Sequence, residues 1–144
     1  MFGRSRKEKA KSLIDAVCSG RQLIALDLLT DDFTFIDSQN FEVSGKPAFT
    51  QYLAEFCSLN LCLQIDYGEL GVSGDQILMS GDQTSRHPEL NARVQWQISF
   101  RGNKICSVRT FRGKGAPSIL RVMHEAMEEK GQPVVSEPVM FRAA

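Results

Sequence analysis

Thr30-Asp31-Asp32-Phe33-Thr34-Phe35-Ile36-Asp37, followed after a polar bend by Gly45-Lys46-Pro47-Ala48-Phe49, is the stretch that decides the fold. An acidic turn at Asp31 and Asp32 opens a short alternating strand over Phe33 to Asp37, with the period of two expected of an extended chain. Gly45 ends the bend, and Phe49, Leu53 and Phe56 then recur at helical spacing. Pro47 suits the first turn of that helix, where its missing N–H is not needed. Helices precede this block and strand-like runs follow it. That order suits a curved sheet wrapped around a helix, a cone with one deep pocket and Asp37 at its wall.

Upstream, Ser5-Arg6-Lys7-Glu8 has the spacing of a capping box, which predicts a helix start. Leu13, Ile14 and Val17 continue it, and Ser19-Gly20 stops it with a residue that tolerates positive φ. Arg21 to Leu29, dense in leucine, reads as a second helix. Downstream, the period changes to two. Leu61, Leu63, Ile65 and Tyr67 alternate with polar residues, and Ser73-Gly74-Asp75 turns the chain into Gln76 to Thr84. Leu90 to Phe100 sets Val94, Trp96, Ile98 and Phe100 against Arg93, Gln95, Gln97 and Ser99. Arg101-Gly102-Asn103 supplies hairpin chemistry, and Lys104 to Arg112 returns beside it.

Gly113 to Gly115 breaks the sheet, and Pro117 starts a last helix ending near Gly131. The expectation is therefore an α+β domain over 1–131, a cone-shaped curved antiparallel sheet wrapped around helices in the order α-α-β-α-β-β-β-β-α. A tail over 132–144 holds two prolines and the apolar residues Val134, Val135, Val139, Met140 and Phe141. It reads as a frayed terminus, or as a segment docked on a partner subunit or over the pocket mouth.

Composition excludes several classes. The 144 residues carry a formal net charge of zero, against the basic excess of a general nucleic-acid binder. Arg4, Arg6, Lys7, Lys9 and Lys11 cluster at the amino terminus without the interleaved aromatics that stack on bases. The apolar runs are too short to span a membrane, and Met1 to Lys11 lacks a signal-peptide core, so a cytoplasmic protein is expected. Cys18, Cys57, Cys62 and Cys106 show no metal-binding spacing, and His87 and His124 stand far from them; free thiols are expected. With no Gly-rich phosphate loop and no nucleophile elbow, no cofactor is expected either.

The chain resembles the nuclear transport factor 2-like superfamily, which includes SnoaL-like proteins and ketosteroid isomerases. The resemblance rests on Leu26 to Asp37, on Gly45 to Phe49, and on Phe100 to Arg109, and it spans roughly residues 6 to 114. It implies that Asp37 stands where the isomerases place their proton-shuttling aspartate. It also implies that their oxyanion-hole tyrosine and aspartic acid, and a supporting tyrosine, are replaced by Leu13, Trp96 and Leu53. Steroid isomerisation by that mechanism is not expected, because the groups that would stabilise an enolate are gone. The superfamily mixes enzymes, binders and dimerisation modules, so the fold alone implies no reaction.

In that alignment Leu78, Ser80, Asp82 and Thr84 face inward from one strand and Cys106, Val108, Thr110 and Arg112 from another. Asp37 and Asp82 are the candidate catalytic carboxylates, since two carboxylates in one apolar cavity push one pKa upward and can divide acid and base roles. Trp96, Arg112, Thr110, Ser80 and Phe35 are the candidate ligand-binding residues. The ligand expected is small and apolar or aromatic; Arg112, a planar cation, suits an anionic one or else neutralises Asp37. His87 is a loop histidine, exposed or a lid base. The function expected is a small-molecule-binding SnoaL-like domain, or a cofactor-independent isomerase, dehydratase or cyclase with an aspartate base. Its alternative is a non-catalytic interaction module, a homodimer through the outer sheet face around Arg93, Gln95, Gln97, Ser99, Ser107, Arg109 and Phe111.

Overall fold

The computed structural model describes residues 5–59, 61–86, 88–112, 125 and 139–141. Helix α1 runs Arg6–Ser19 and starts as its capping box predicts: Ser5 Oγ accepts from the Glu8 amide at 3.2 Å. Gly20 ends it in the left-handed region at φ 77°, which a side chain would strain. Helix α2 is shorter than expected, Gln22–Asp27, because Leu28 and Leu29 are buried and Leu29 already opens strand β1, Leu29–Ile36. After a turn the chain forms β2, Phe41–Ser44, which the sequence reading took for part of a bend. Helix α3 follows at Lys46–Ser58 with Pro47 in its first turn.

Strands β3 (Gln64–Ser73), β4 (Gln76–Thr84), β5 (Ala92–Arg101) and β6 (Lys104–Arg112) complete the main sheet. A short 3-10 turn at Pro88–Leu90 leads into β5. The last strand, β7, is Val139–Phe141 at the end of the tail. The sheet is curved and unclosed around the helices, in the order β3-β4-β5-β6-β1-β2-β7. Neighbours are antiparallel except β1 and β6, which run parallel with Phe35 opposite Val108 and Ile36 opposite Arg109. The sheet is thus mostly antiparallel, as expected, and the parallel pair joins its first strand to β6. β7 pairs with β2, Val43 opposite Val139, so this part of the tail is neither frayed nor free. Glu125 is helical; the rest of the expected last helix, with Arg4, His87 and His124, lies outside the described residues.

The core lies between the inner face of the sheet and the helices. Phe33, Ile77, Ile98, Ile105, Val43 and Leu13 are fully buried in it, and so is Asp37. Three of the basic amino-terminal residues contact their own chain. Arg6 pairs with Asp75 at 3.0 Å and lies over the Phe100 ring, Lys9 donates to Asn103 O, and Lys11 lies over Tyr67. These contacts tie α1 to the turns at Asp75 and at Gly102–Asn103 and to the Tyr67 ring.

One strand lies one residue off the expected register. Ile77, Met79, Gly81 and Gln83 of β4 are buried, whereas Leu78, Asp82 and Thr84 are exposed and Ser80 is half-buried. The pairing with β5 explains it. Met79 stands opposite Trp96, Ile77 opposite Ile98, and Asp82 opposite Arg93. Residues directly across an antiparallel pair share a face, so the unambiguous alternation of β5 carries β4 with it. Gly81 stands where β3 crosses close to β4: a Cβ there would come within 2.9 Å of Ile65 Cγ2 and 3.0 Å of Asp66 O. Only glycine permits that approach.

Candidate functional site

A cavity of about 100 Å³ lies inside the cone. Helix α1 contributes Leu13, Ile14, Val17 and Cys18, and α3 contributes Phe49, Tyr52, Leu53 and Phe56. These residues recur at three- and four-residue intervals, which is why one stripe of each helix faces the space. The sheet adds Phe33 and Phe35 from β1, Val94 and Trp96 from β5, and Val108, Thr110 and Arg112 from β6. Phe33 and Phe49 meet edge-on with ring centroids 4.8 Å apart, fixing one wall.

Four of the residues predicted from sequence thus meet at one cavity: Phe35, Trp96, Thr110 and Arg112. Ser80 and Asp82 do not join them. Asp82 faces solvent in an ion pair with Arg93 at 3.3 Å, its side chain 59% exposed. Ser80 lines a separate groove on the outer face of the sheet. Both are displaced by the one-residue register difference in β4, which turns every side chain of a strand to the opposite face. Cys106 is displaced as well: a bulge beside Phe100 puts Ile105 and Val108 inward, and the Cys106 thiol lies against Ser99 O.

Gln83 is a polar lining residue not expected from the sequence. It is buried, and its amide nitrogen donates to Leu90 O at 2.8 Å. The signal that could have found it is Arg93 opposite Asp82, an opposite-charge cross-strand pair that belongs in solvent and sends its neighbour inward.

Asp37 ends β1 with no exposed surface. Its Oδ1 accepts the amides of Gln39 at 2.9 Å and Phe41 at 3.2 Å, and its own backbone pairs with Phe41 O and the Asn40 amide. The carboxylate therefore organises the β1–β2 turn, in which Asn40 takes a positive φ of 63°. Arg109 holds that turn from outside by donating to Asn40 Oδ1 at 3.2 Å. Arg112, half-buried, donates to Glu89 O at 2.8 Å. Burial lowers its pKa from the ordinary arginine value, and the Asp37 charge opposes that shift. Thr110 is 4% exposed, and its buried hydroxyl has no hydrogen-bond partner among the described residues.

At the other side of the cavity, burial and the nearby Asp15 carboxylate push the Cys18 thiol up to about 12. A thiol so held is a neutral wall rather than a nucleophile. Tyr67 donates its hydroxyl to Asp15, and burial first, then that hydrogen bond, raise its pKa. Among the described residues no group of three or more His, Cys, Asp or Glu could hold a metal, and no helix is long and apolar enough to cross a membrane.

No family model matches the chain, and no curated protein matches it. Solved structures do. An NTF2-like protein of unknown function from Cytophaga hutchinsonii superimposes with a TM-score of 0.65 at 11% identity, over 78% of this chain and 93% of that one. The chain has the nuclear transport factor 2-like fold. A ketosteroid isomerase-like protein from Catenulispora acidiphila, solved in complex with trimethylamine, matches with a TM-score of 0.65 at 13% identity, over 93% and 100% of the two chains. A candidate polyketide cyclase from Sinorhizobium meliloti matches with a TM-score of 0.63 at 14% identity, over 72% and 93%. At these identities the likeness is one of fold. Within this NTF2-like fold the positions of the isomerase comparison, Leu13, Leu53 and Trp96, all lie on the cavity wall as apolar groups.

Proposed function

We propose that this domain binds one small, mainly apolar molecule in the cavity between α1, α3 and the inner face of the sheet. The observation that carries the reading is the cavity itself: about 100 Å³, walled by aliphatic and aromatic side chains, with Thr110 and Arg112 converging at one end. Apolar enclosure with a few placed polar groups is the usual composition of a ligand site. The trimethylamine complex of the Catenulispora protein is consistent with small ligands entering this fold. An isomerase, dehydratase or cyclase would need Asp37 as its base. That carboxylate already accepts two backbone amides through Oδ1, so binding is the better supported activity.

Methyl and amide NMR with a fragment panel of single-ring compounds tests the reading. Perturbation of Leu13, Val94 and Val108 signals is the expected result; perturbation confined to Leu78 and Phe111 would contradict it.

A second reading, a homodimeric interaction module, is favoured by the outer face. There Leu78 and Phe111 are 44% and 43% exposed, and they line a groove of about 500 Å³ together with Leu70, Gln95 and Gln97. Sedimentation of the wild type and of Phe111→Glu separates the two: a dimer lost in the variant supports the interaction module, and an unchanged monomer removes it.

A further inference from the structure

The chemistry of the ligand follows from the single polar end of the cavity. Three features meet there. The Thr110 hydroxyl is buried and unpartnered among the described residues. A buried hydroxyl left unpaired is unfavourable, and this one lies on the cavity wall. The Gln83 amide nitrogen is already committed to Leu90 O. The Arg112 guanidinium is held by Glu89 O.

We propose that the cavity selects an uncharged ligand whose one hydroxyl or carbonyl oxygen pairs with Thr110 Oγ1, on an apolar body of about one ring, and that it discriminates against carboxylates. Thr110 can donate to a carbonyl or exchange a hydrogen bond with a hydroxyl, so both oxygens satisfy it. A carboxylate fits less well. A carboxylate brought against this apolar wall would lose its hydration. Thr110 is then the specificity-determining residue. This inference rests on the binding reading above.

Trp96 is the only tryptophan of the sequence and lies on the cavity wall, so its fluorescence reports occupancy directly. The experiment titrates the full chain with cyclohexane, cyclohexanol and cyclohexanecarboxylate near neutral pH. The variants are Thr110→Val, of nearly the same shape, and Thr110→Ser, which restores the hydroxyl. Thr110→Val is expected to weaken cyclohexanol roughly tenfold and leave cyclohexane unchanged, with Thr110→Ser restoring cyclohexanol. The carboxylate is expected to bind more weakly than cyclohexanol to the wild type.

Equal losses for cyclohexanol and cyclohexane in Thr110→Val, or wild-type carboxylate binding as tight as that of cyclohexanol, would overturn the inference while leaving a binding cavity in place. Failure of all three compounds to bind the wild type would overturn the binding reading as well. A Thr110→Val protein that does not fold is replaced by Thr110→Ala, with the same outcomes expected.

Discussion

The inner and outer faces of the sheet both carry apolar side chains beside open space, and they hold them for different reasons. Ile77 and Leu78 are neighbours on β4, yet Ile77 is buried against Ile98 across the strand pair while Leu78 looks out beside Gln97. Inside, apolar groups from two helices and the strands line the space, and a polar group buried there must find a partner or remain unsatisfied. Outside, the same strand alternation leaves Ser80, Asp82, Gln95 and Gln97 around the apolar residues, and solvent can satisfy each of them. The difference teaches that the volume of a depression says little by itself. The outer groove is the larger at about 500 Å³, but the inner cavity of about 100 Å³ is the one that apolar side chains enclose.

The widest gap between the faces is expected in stability. Ile77→Ala should cost about 2–5 kcal/mol in denaturant unfolding, because it removes buried methylenes and leaves a void. Leu78→Ala should stay within about 0.5 kcal/mol of the wild type. The reverse order would mean that β4 is read on the wrong face.

A second contrast sharpens the close crossing of β3 and β4. Gly81→Ala should destabilise by about 1–3 kcal/mol, since its Cβ would press on Ile65 and the Asp66 carbonyl. Gly71→Ala, with nothing within 4 Å of its Cβ, should not destabilise by that route. Equal unfolding midpoints for the two variants would break the contrast.

The two aspartates give a third. Asp37→Ala strands the Gln39 and Phe41 amides and should lose about 1–3 kcal/mol, with Asp37→Asn recovering much of it. Asp82→Asn removes only a solvated pair and should lose less than about 1 kcal/mol.

The last contrast is silent at neutral pH. The Cys18 thiol is raised from 9.0 to about 12 by burial, so above pH 9 the unfolded chain releases a proton that the folded chain still holds. Stability should therefore be unaffected below pH 9. It should then fall as pH rises toward 12, by up to about 1.4 kcal/mol per pH unit from this group. Cys18→Ala should flatten that limb. An identical alkaline profile in the variant would rule out Cys18 and leave Cys57 and Tyr67 as the groups with raised pKa values.

Much of this architecture was legible in the sequence, and the failures have physical causes. The capping box at Ser5, the stripe of Phe49, Leu53 and Phe56, and the strict alternation of β5 each carry their own period. Each appears where it was expected. β2 was not legible because it is four residues long and begins just after Asn40, whose left-handed turn makes Asp37 to Phe41 look like a plain polar bend. β4 misled because Ile77, Leu78 and Met79 are three apolar residues in a row, so its own alternation does not name a face. Its partner strand does, through Asp82 opposite Arg93. The pocket was half legible for the same reason: Phe35, Trp96, Thr110 and Arg112 lie on strands with a clear period, while Gln83 lay hidden behind the ambiguous one. That Asp37 caps a turn depends on β2 being there at all.

A crystal structure of the protein grown with cyclohexanol tests the central claim most directly. Density inside the cone beside Phe33, Phe35 and Trp96, with the ligand oxygen within hydrogen-bond distance of Thr110 Oγ1, is the result the account expects. A ligand seated only in the outer groove between Leu78 and Phe111, with the inner cavity collapsed onto its own side chains, would contradict it.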